Sequence, residues 1–344
     1  MSAPALRVGI AGYGLAGEVF HAPLVAAVDG LEVSAVLTRS PERAARAQAA
    51  HPGVRVVGGI DELVGGIDVL VVATPNRSHV PLALAGLDSG LAVVVDKPLA
   101  PSAADGRLLL ERGGRLTVFQ NRRWDGDFLT VRRLVEEGAL GELVRFESRF
   151  ERFRPVVDGG WRERGDATEG GGLLLDLGAH LVDQAVVLLG PPVSVYAEVA
   201  ARRPRAQVDD DVFVALEHAG GVRSHLWMSA TAPLFGPRFR VSGLRSGFAS
   251  DGFDTQEVQL AIGMRPGDPG YGHAPPGLLD GAPVTLEPGR YQDFYAAVRD
   301  WARGEAPAPV DPRDSLAVLD LLELARRSAQ AREPLPSPIK ELTT

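Results

Sequence analysis

The sequence lacks several features, and each absence excludes a class of function. Its 344 residues include no cysteine, which excludes disulfides, thiolate catalysis and cysteine-ligated zinc. The formal net charge is -8, whereas a nucleic-acid partner requires a basic face. The start of the chain has neither a basic segment nor a long apolar one, so we expect no secretory signal. The most apolar stretch, residues 172–190, carries three ionisable groups, which are expensive in lipid. We therefore expect a cytoplasmic protein that binds neither nucleic acid nor membrane.

Lysine is nearly absent as well. The chain contains only Lys97 and Lys340, and every other basic side chain is arginine. Lys97 ends an apolar run and precedes Pro98, in a place where a charge is costly to bury. The proline keeps Lys97 out of the helical region and fixes the direction of the chain. Unlike arginine, a partly buried lysine can take part in proton chemistry. The alternative is a structural ion pair with Asp96 or another carboxylate.

Apolar runs and helical patterns alternate over the first third of the chain. The runs are rich in valine and do not alternate with polar residues, which is typical of strands buried on both faces. Alternation of strand and helix predicts a parallel, doubly wound sheet. We therefore assign residues 1–121 to an α/β Rossmann dinucleotide-binding domain. The predicted strands lie in residues 6–12, 31–38, 68–74, 91–96 and 115–119.

The pattern changes after the stretch FQNRRWDGDF. A helix is expected over residues 128–137, and four later runs alternate apolar and polar residues, as in an antiparallel sheet with one covered face. Gly220 and Gly221 predict a hairpin between the last two runs. Residues 264–290 are expected to form a long loop or lobe, followed by two closing helices. We assign residues 122–344 to a second, α+β domain.

A glycine fingerprint follows the first predicted strand. Gly12, Gly14 and Gly17 form the pattern G-x-G-x-x-G. In a dinucleotide site the first glycine permits a tight turn, the second lets the backbone approach a pyrophosphate, and the third packs helix against strand. Free N–H groups at the helix start then bind the phosphates. A plain turn is the alternative, but the position after the first strand favours a cofactor site. The loop residues also predicted to contact the cofactor are Tyr13, Leu15 and Ala16.

The tip of the second strand carries cations rather than a carboxylate. It reads Thr38, Arg39 and Ser40, with Arg43 one turn later. An NAD-preferring site places Asp or Glu here to bond the ribose 2′-hydroxyl. A carboxylate would repel a 2′-phosphate, whereas a guanidinium binds it. We therefore predict NADP as the cofactor, with NAD as the alternative. These arginines could instead be solvated surface groups.

Two more strand ends are rich in polar groups. Ligands of doubly wound sheets bind beyond the carboxyl ends of the strands, so we expect cofactor contacts at these ends. Asn76 could reach a cofactor ribose, and His79 either contacts the cofactor or opens the next helix. The residues predicted to bind the cofactor here are Thr74, Pro75, Asn76, His79, Asp96, Lys97 and Asn121.

A later stretch places three ionisable groups at helical spacing. Asp176, His180 and Asp183 stand at i, i+4 and i+7, so on one helix they would share a face. Three glycines, residues 170–172, precede them and would let the backbone come close to a ligand. The rest of the face is apolar, so these groups point into a cleft or into each other. The alternative is a buried histidine–aspartate pair that only holds the helix in place.

These motifs together resemble a known family over nearly the full length. GIAGYGLAGEVFHAP, ATPNRSH, DKP and GGGLLLDLGAHLVDQ occur in the order seen in the Gfo/Idh/MocA oxidoreductases. The stretch from FQNRRW to FERFRP is similar, more narrowly, to bacterial NADP-dependent scyllo-inositol dehydrogenases. The family's usual Glu-Lys-Pro is Asp96-Lys97-Pro98 here. The resemblance implies a nicotinamide-binding first domain, a second domain with an open, mostly antiparallel sheet, and dimers or tetramers formed through that sheet.

The same resemblance implies that Lys97, Asp176 and His180 line the active site. Oxidation of a secondary alcohol needs a hydride acceptor, a base for the hydroxyl proton and a cation beside the developing alkoxide. We assign the base to His180 and the cation to Lys97, although Lys97 could be the base instead. Asp176 would orient both or bond a neighbouring hydroxyl, and no metal is needed. Candidates for polyol binding are Asn121, Arg122, Arg154, Arg162 and, with the strongest case, Trp161 and Asp183.

We therefore predict an NADP-dependent dehydrogenase of CH–OH groups. The predicted substrate is an inositol or related cyclic polyol, and the enzyme would run readily as an inosose reductase. One alternative is a dehydrogenase or reductase of another sugar or sugar derivative. The other is a non-catalytic dinucleotide-binding sensor, which would need the pocket but not Lys97, Asp176 and His180 together. Turnover with a panel of polyols separates these alternatives.

Overall fold

The first part of the chain forms a parallel sheet in the computed structural model, which describes residues 4–157 and 171–340. Its strands are β1 (Leu6–Ala11), β2 (Leu31–Leu37), β3 (Arg55–Val57), β4 (Val69–Val72), β5 (Ala92–Asp96) and β6 (Arg115–Phe119). They pair in the order β3-β2-β1-β4-β5-β6, and every pair is parallel. This is the Rossmann arrangement that the sequence predicts. All four residues of β4 are buried, as expected for a strand covered on both faces.

Short helices connect these strands and cover both faces of the sheet. They are a π-helix (Ala16–His21) that runs into α1 (Ala22–Ala26), then α2 (Pro41–Ala50), α3 (Ile60–Val64), α4 (His79–Asp88) and α5 (Ala103–Arg112). Serine side chains begin two of them, since Ser40 accepts a hydrogen bond from the Arg43 N–H and Ser102 accepts one from the Asp105 N–H. Strand β3 is not among the predicted strands because it has only three residues at the sheet edge.

The second part of the chain forms a larger sheet. Its strands are β7 (Leu143–Glu151), β8 (Pro192–Ala200), β9 (Asp211–His218), β10 (Arg223–Ser229), β11 (Phe239–Gly243), β12 (Gly247–Ser250), β13 (Gly277–Leu279), β14 (Ala282–Val284) and β15 (Leu335–Pro336). They pair in the order β14-β13-β12-β11-β7-β10-β9-β8-β15. Only the β7–β10 pair is parallel among the described strands of this sheet. The mostly antiparallel second sheet is therefore confirmed.

The second part also contains helices. They are α6 (Gly126–Glu136), α7 (Leu173–Asp176), α8 (Gly178–Leu189), α9 (Gln256–Ala261), α10 (Tyr291–Ala302) and α11 (Pro312–Ala331). Of these, α8 and α11 pack against strands of this sheet. The hairpin between β9 and β10 turns at Gly220 and Gly221, whose φ angles are 80° and 84°, as predicted. Residues 264–290 are not one long loop, because β13 and β14 form a second hairpin within them.

The last two helices return to the first sheet. Thr117 on β6 donates its hydroxyl hydrogen to the Val310 carbonyl oxygen at 2.8 Å, and α11 packs against both α5 and β8. The C-terminal segment therefore joins the two sheets, and the predicted domain boundary at residue 121 stays a prediction. Within residues 4–157 and 171–340, no helix is long and apolar enough to cross a membrane.

Candidate active site

Two glycines of the loop have no room for a side chain, whereas the third is next to free space. Gly12 has a φ of 98°, and a Cβ there would come within 2.6 Å of the Ala73 carbonyl oxygen. A Cβ at Gly17 would overlap the Gly12 carbonyl oxygen. At Gly14, by contrast, the nearest atom would be Arg43 Nη1 at 3.9 Å. The loop therefore leaves space where a dinucleotide pyrophosphate would approach the backbone.

The tip of β2 presents two guanidinium groups with which no carboxylate of the described ranges forms an ion pair. Arg39 and Arg43 are both exposed, and Arg39 Nε lies 3.4 Å from the Gly58 carbonyl oxygen. The nearby carboxylates of Glu18 and Glu42 are both occupied by Arg46, at 2.7 Å each. Thr38 stands beside them and accepts a hydrogen bond from the Ser40 N–H at 3.3 Å. Positive charge is therefore available where a ribose 2′-phosphate would lie.

The tip of β4 is built around His79. Its Nδ1 lies 2.8 Å from the Pro98 carbonyl oxygen and its Nε2 lies 2.9 Å from the Thr74 carbonyl oxygen. Burial lowers the pKa of His79, with Asp96 and the two carbonyls partly offsetting that effect. Both ring nitrogens tie together the loops after β4 and β5, and His79 opens helix α4. Its predicted contact with the cofactor stays a prediction. Asn76 is buried and Pro75 exposed at the same tip.

The Thr74 hydroxyl is a polar group that suits a ligand at this tip. Its oxygen is buried and has no hydrogen-bond partner among the described residues. A buried polar atom without a partner is unusual in a folded protein. Thr74 also lies directly beside the glycine loop, where its methyl group would be 3.0 Å from a Cβ at Gly12. The loop and this tip together fit a bound dinucleotide.

Lys97 joins the first sheet to the second part of the chain. Its Nζ donates to Asp176 Oδ1 at 2.7 Å and to the Asp176 carbonyl oxygen at 2.8 Å. Its backbone N–H donates to Asp96 Oδ1 at 2.8 Å, and the Lys97–Pro98 peptide bond is cis. Burial would raise the pKa of Asp96, but His21 and the charge of Lys97 outweigh burial and the pKa lies below its usual range. The Lys97 ammonium therefore forms an ion pair with Asp176 and remains partly exposed.

Asp176 and His180 do not lie on one continuous helix, as their spacing suggested. Helix α7 ends at Asp176 and helix α8 begins at Gly178. The His180 N–H bonds the Leu177 carbonyl at 3.0 Å, whereas a continuous α-helix would direct it to Asp176. Lys97 Nζ occupies the Asp176 carbonyl instead. The lysine that pairs with the carboxylate therefore also satisfies the carbonyl left at the helix break.

These groups meet in one solvent-open cleft that is lined by residues of both parts of the chain. It brings together the predicted residues Leu15, Ala16, Asp96, Lys97, Asn121, Asp176 and His180, and also Arg122. The remaining lining residues were not predicted: Phe20, His21, Phe119, Arg152, Leu177 and Glu257. Phe20 and His21 lie on the π-helix, Phe119 on β6 and Glu257 on α9, while Arg152 follows β7 and Leu177 links α7 to α8, so these residues meet only after folding.

Two of the predicted binding residues, Asp183 and Tyr13, do not line this cleft. Both Asp183 oxygens accept hydrogen bonds from Arg123, at 2.8 and 2.7 Å, and the carboxylate is buried in this ion pair. The prediction that Asp183 binds substrate is therefore corrected. The Tyr13 ring lines a different pocket, beside His51 and Arg265, so only its backbone is available to a cofactor in the cleft. Trp161 lies outside the described residues.

A buried charge cluster stands behind the second-domain wall of the cleft. Arg122 pairs with Asp125 at 3.3 Å and with Glu257 at 3.2 Å, and the Tyr291 hydroxyl donates to Asp125 at 2.6 Å. Burial raises the pKa of Asp125 well above its usual value, although Arg122 opposes this. Burial also raises the pKa of Asp127, to about 6. The cluster fixes Arg122, which lines the cleft.

Comparison with known sequences identifies the class of protein and the family to which the chain belongs. Residues 6–116 match the profile described as "Oxidoreductase family, NAD-binding Rossmann fold", so the chain is an oxidoreductase with a nicotinamide-dinucleotide domain. Residues 128–248 match the "GFO/IDH/MocA C-terminal domain". The chain belongs to the Gfo/Idh/MocA family, as its motifs predicted.

Full-length relatives agree with this assignment. The chain is 39% identical to "Uncharacterized oxidoreductase YdgJ" of Escherichia coli, over 96% of this chain and 98% of the relative. It is 33% identical to "scyllo-inositol 2-dehydrogenase (NADP(+)) IolW" of Bacillus subtilis, over 96% of this chain and 95% of the relative. Among solved structures, the YPO2259 putative oxidoreductase from Yersinia pestis superposes with a TM-score of 0.91 at 36% identity, over 98% of this chain and 99% of that one.

Proposed function

We propose that this chain is an NADP-dependent dehydrogenase that oxidises a secondary alcohol of an inositol or related cyclic polyol. Scyllo-inositol is the first candidate substrate, and the reverse reaction would reduce the corresponding inosose. The observation that carries the proposal is the 2.7 Å contact between Lys97 Nζ and Asp176 Oδ1, in a cleft that also contains His180 and the edge of the glycine loop. A site that only held a dinucleotide would not need these three groups together.

Three residues of the chain have different roles in the proposed reaction. A bound nicotinamide supplies the hydride acceptor. Lys97 places a positive charge where the alcohol oxygen becomes an alkoxide, and a fixed charge in a partly dry cleft stabilises that oxygen more than water does. Asp176 holds the ammonium in place through two hydrogen bonds. We assign His180 as the group that accepts the hydroxyl proton, and Lys97 is the alternative acceptor.

Arg39, Arg43 and the hydroxyls of Thr38 and Ser40 support NADP over NAD. Guanidinium groups bind phosphate through paired, charge-assisted hydrogen bonds. No carboxylate stands at the tip of β2, where one would bond a free ribose 2′-hydroxyl. The relative IolW is itself named as an NADP(+) enzyme. These observations favour a 2′-phosphate at this tip.

Asn121 and Arg152 are the proposed substrate-binding residues at the outer wall. Both line the cleft. Arg152 lies at 5.4 Å over the Phe253 ring, and within the described part of the chain no carboxylate pairs with it. Its guanidinium can therefore donate to two neighbouring ring hydroxyls of a polyol. Trp161, predicted from the sequence, stays a proposed contact.

An absorbance screen tests the proposed function. Purified chain is mixed with NADP or NAD and a panel of inositol isomers, aldoses and deoxysugars, and reduced nicotinamide is followed at about 340 nm. We expect turnover with NADP and scyllo-inositol. Turnover with another sugar only would overturn the assignment of scyllo-inositol as the substrate. The name of the relative YdgJ gives no substrate. Dinucleotide binding without turnover of any member of the panel would favour a sensor.

A further inference from the structure

A buried histidine behind the cleft has no part in the proposed reaction. His21 ends the π-helix after the glycine loop, is 0% exposed and contributes to the cleft wall. Its Nδ1 forms a hydrogen bond, but its Nε2 has no hydrogen-bond partner in the described ranges. His79 and His218 are also buried, and each forms hydrogen bonds through both nitrogens. The unfilled nitrogen of His21 therefore requires an explanation.

The neighbours of His21 indicate which ring nitrogen carries the proton. Tyr295 Oη lies 2.6 Å from Nδ1, and burial, together with Asp96, raises the pKa of Tyr295 well above its usual value. The hydroxyl therefore keeps its proton and can donate it. Nε2 lies 3.8 Å from Asp96 Oδ2. That carboxylate attracts an N–H and repels a lone pair, so the proton belongs on Nε2 and Nδ1 accepts from Tyr295.

Asp96 connects His21 to the catalytic lysine. One carboxylate oxygen faces His21, and the other accepts the backbone N–H of Lys97 at 2.8 Å. A line of contacts therefore runs from helix α10 through Tyr295, His21 and Asp96 to Lys97. The 3.8 Å separation is longer than a hydrogen bond. Hydrogen bonds of this kind often tighten only when the ligands are bound.

We propose, on the basis of the proposed function, that His21 is a positioning residue for Lys97. Its Nε2–H orients the Asp96 carboxylate, which in turn holds the backbone of Lys97 and aims Nζ at the substrate oxygen. Because Nε2 is buried, it acts through Asp96 and not by contact with a ligand. Loss of His21 should therefore lower kcat while changing the dissociation constant of the dinucleotide little.

Three variants and one control test this role. His21→Phe keeps a ring and removes both nitrogens. His21→Gln keeps an amide N–H near the Nε2 position, and Tyr295→Phe removes the donor to Nδ1. His218→Phe is the matched control, because His218 is equally buried, bonds Gly190 and Ser224, and does not line the cleft. For each variant, kcat, KM, the NADPH dissociation constant and the unfolding midpoint are measured.

The positioning role predicts that His21 variants lose kcat while their affinity for NADPH changes little. We expect kcat of His21→Phe to fall by about 10- to 100-fold, the worth of one hydrogen bond to a charged group. NADPH affinity should stay within about threefold of wild type, a difference under 1 kcal/mol. His21→Gln should recover part of kcat, and Tyr295→Phe should lose a smaller part. His218→Phe should lose stability only. The role is refuted if His21→Phe keeps wild-type kcat, or if Gln and Phe variants are equally slow.

A second measurement does not depend on turnover. Imidazole ¹⁵N NMR of the folded wild-type chain reports the tautomer of His21, with His21→Gln used to assign its signals. We expect a proton on Nε2. A ring that carries its proton on Nδ1 and none on Nε2 overturns the positioning role even where the enzyme is active. Failure of every substrate in the screen would instead contradict the proposed function and leave the tautomer result standing.

Discussion

Lys97 combines two tasks at the tip of β5. Its Nζ bonds both the carboxylate and the carbonyl oxygen of Asp176, which suits a compact ammonium with three donors on a flexible stem. The carbonyl bond lies at the break between helices α7 and α8, so the same side chain helps to place His180. This explains in physical terms why a chain so poor in lysine keeps one at the tip of β5.

At the level of single residues, cofactor choice should depend on Arg39. In Arg39→Asp, a carboxylate replaces a guanidinium at the β2 tip, so a 2′-phosphate is repelled and a free 2′-hydroxyl gains an acceptor. We expect the NADP dissociation constant to rise by about tenfold or more, and that for NAD to change less. Calorimetric titration of both nucleotides measures this. Arg327→Asp, on the exposed side of α11, is the control. Equal weakening of both nucleotides would contradict the specificity argument.

The residues that the sequence predicted carry local signals, and the residues that it missed do not. Lys97 is marked by the rarity of lysine and by its place before Pro98, and the glycine loop by its spacing. His21 and Tyr295 are 274 residues apart, so no local pattern could connect them. Asp183 was misassigned for the same reason, since its partner Arg123 lies 60 residues away. Composition indicates which side chains are unusual, but it does not indicate which distant group will satisfy them.

At the level of elements, the strands of the parallel sheet were predicted well. Alternation of apolar runs predicted five of the six parallel strands, because strands buried on both faces must be continuously apolar. The break between α7 and α8 was not predicted. The i, i+4 spacing of Asp176 and His180 fits an unbroken helix, and the group that takes the Asp176 carbonyl is 79 residues away. Tertiary contacts therefore decided the local structure there.

The start of the first helix should be intolerant of a single methyl group. In Gly17→Ala the added Cβ would overlap the Gly12 carbonyl oxygen, so the loop must shift. We expect a loss of about 1–3 kcal/mol in unfolding free energy, together with weaker NADPH binding, since the loop carries the phosphate site. Urea unfolding and fluorescence titration measure the two effects. Gly65→Ala is the control, because its nearest neighbour would lie at 3.8 Å. Unchanged binding in Gly17→Ala would argue against the loop as the phosphate site.

The start of helix α6 should give a measurable pH dependence. Burial raises the pKa of Asp127 from 3.8 to about 6, so the folded state binds its proton more tightly than the unfolded state. Stability from this group is therefore full below about pH 4 and is lost as the pH rises towards about 6. Asp127→Asn does not titrate. Its unfolding free energy relative to wild type should rise over this window by about 1–3 kcal/mol. Urea unfolding at several pH values tests this, and a constant difference would contradict it.

At the scale of the whole molecule, the face of the large sheet opposite helices α8 and α11 is here called the open face. Helices α8 and α11 pack on one side, and the other side presents a cluster of rings. Phe213 and Trp227 have ring centroids 5.2 Å apart, and the Arg149 guanidinium stacks 3.9 Å over the Trp227 ring. A homodimer or homotetramer through this sheet, and a cytoplasmic location, stay predictions.

The open face should determine the oligomeric state. Trp227→Glu would remove the indole ring from the cluster and place a carboxylate there, whose burial against a second copy would carry a desolvation cost. We expect sedimentation velocity to show a dimer or tetramer for wild type and a monomer for Trp227→Glu. Leu108→Glu, at a half-exposed site on α5 of the first sheet, should leave assembly unchanged. A monomeric wild type, or a variant that assembles like wild type, would contradict assembly through this face.

The most direct test of the whole account is a single-turnover experiment with labelled substrate. Enzyme saturated with NADP is mixed with scyllo-inositol deuterated at its ring carbons, and wild type is compared with Lys97→Ala. We expect deuterium to appear on the reduced nicotinamide in wild type, with hydride transfer slower than for unlabelled substrate. Lys97→Ala should bind NADP normally and transfer no measurable label, because the ammonium that stabilises the alkoxide is gone. Undiminished transfer by Lys97→Ala would contradict the catalytic role of the lysine.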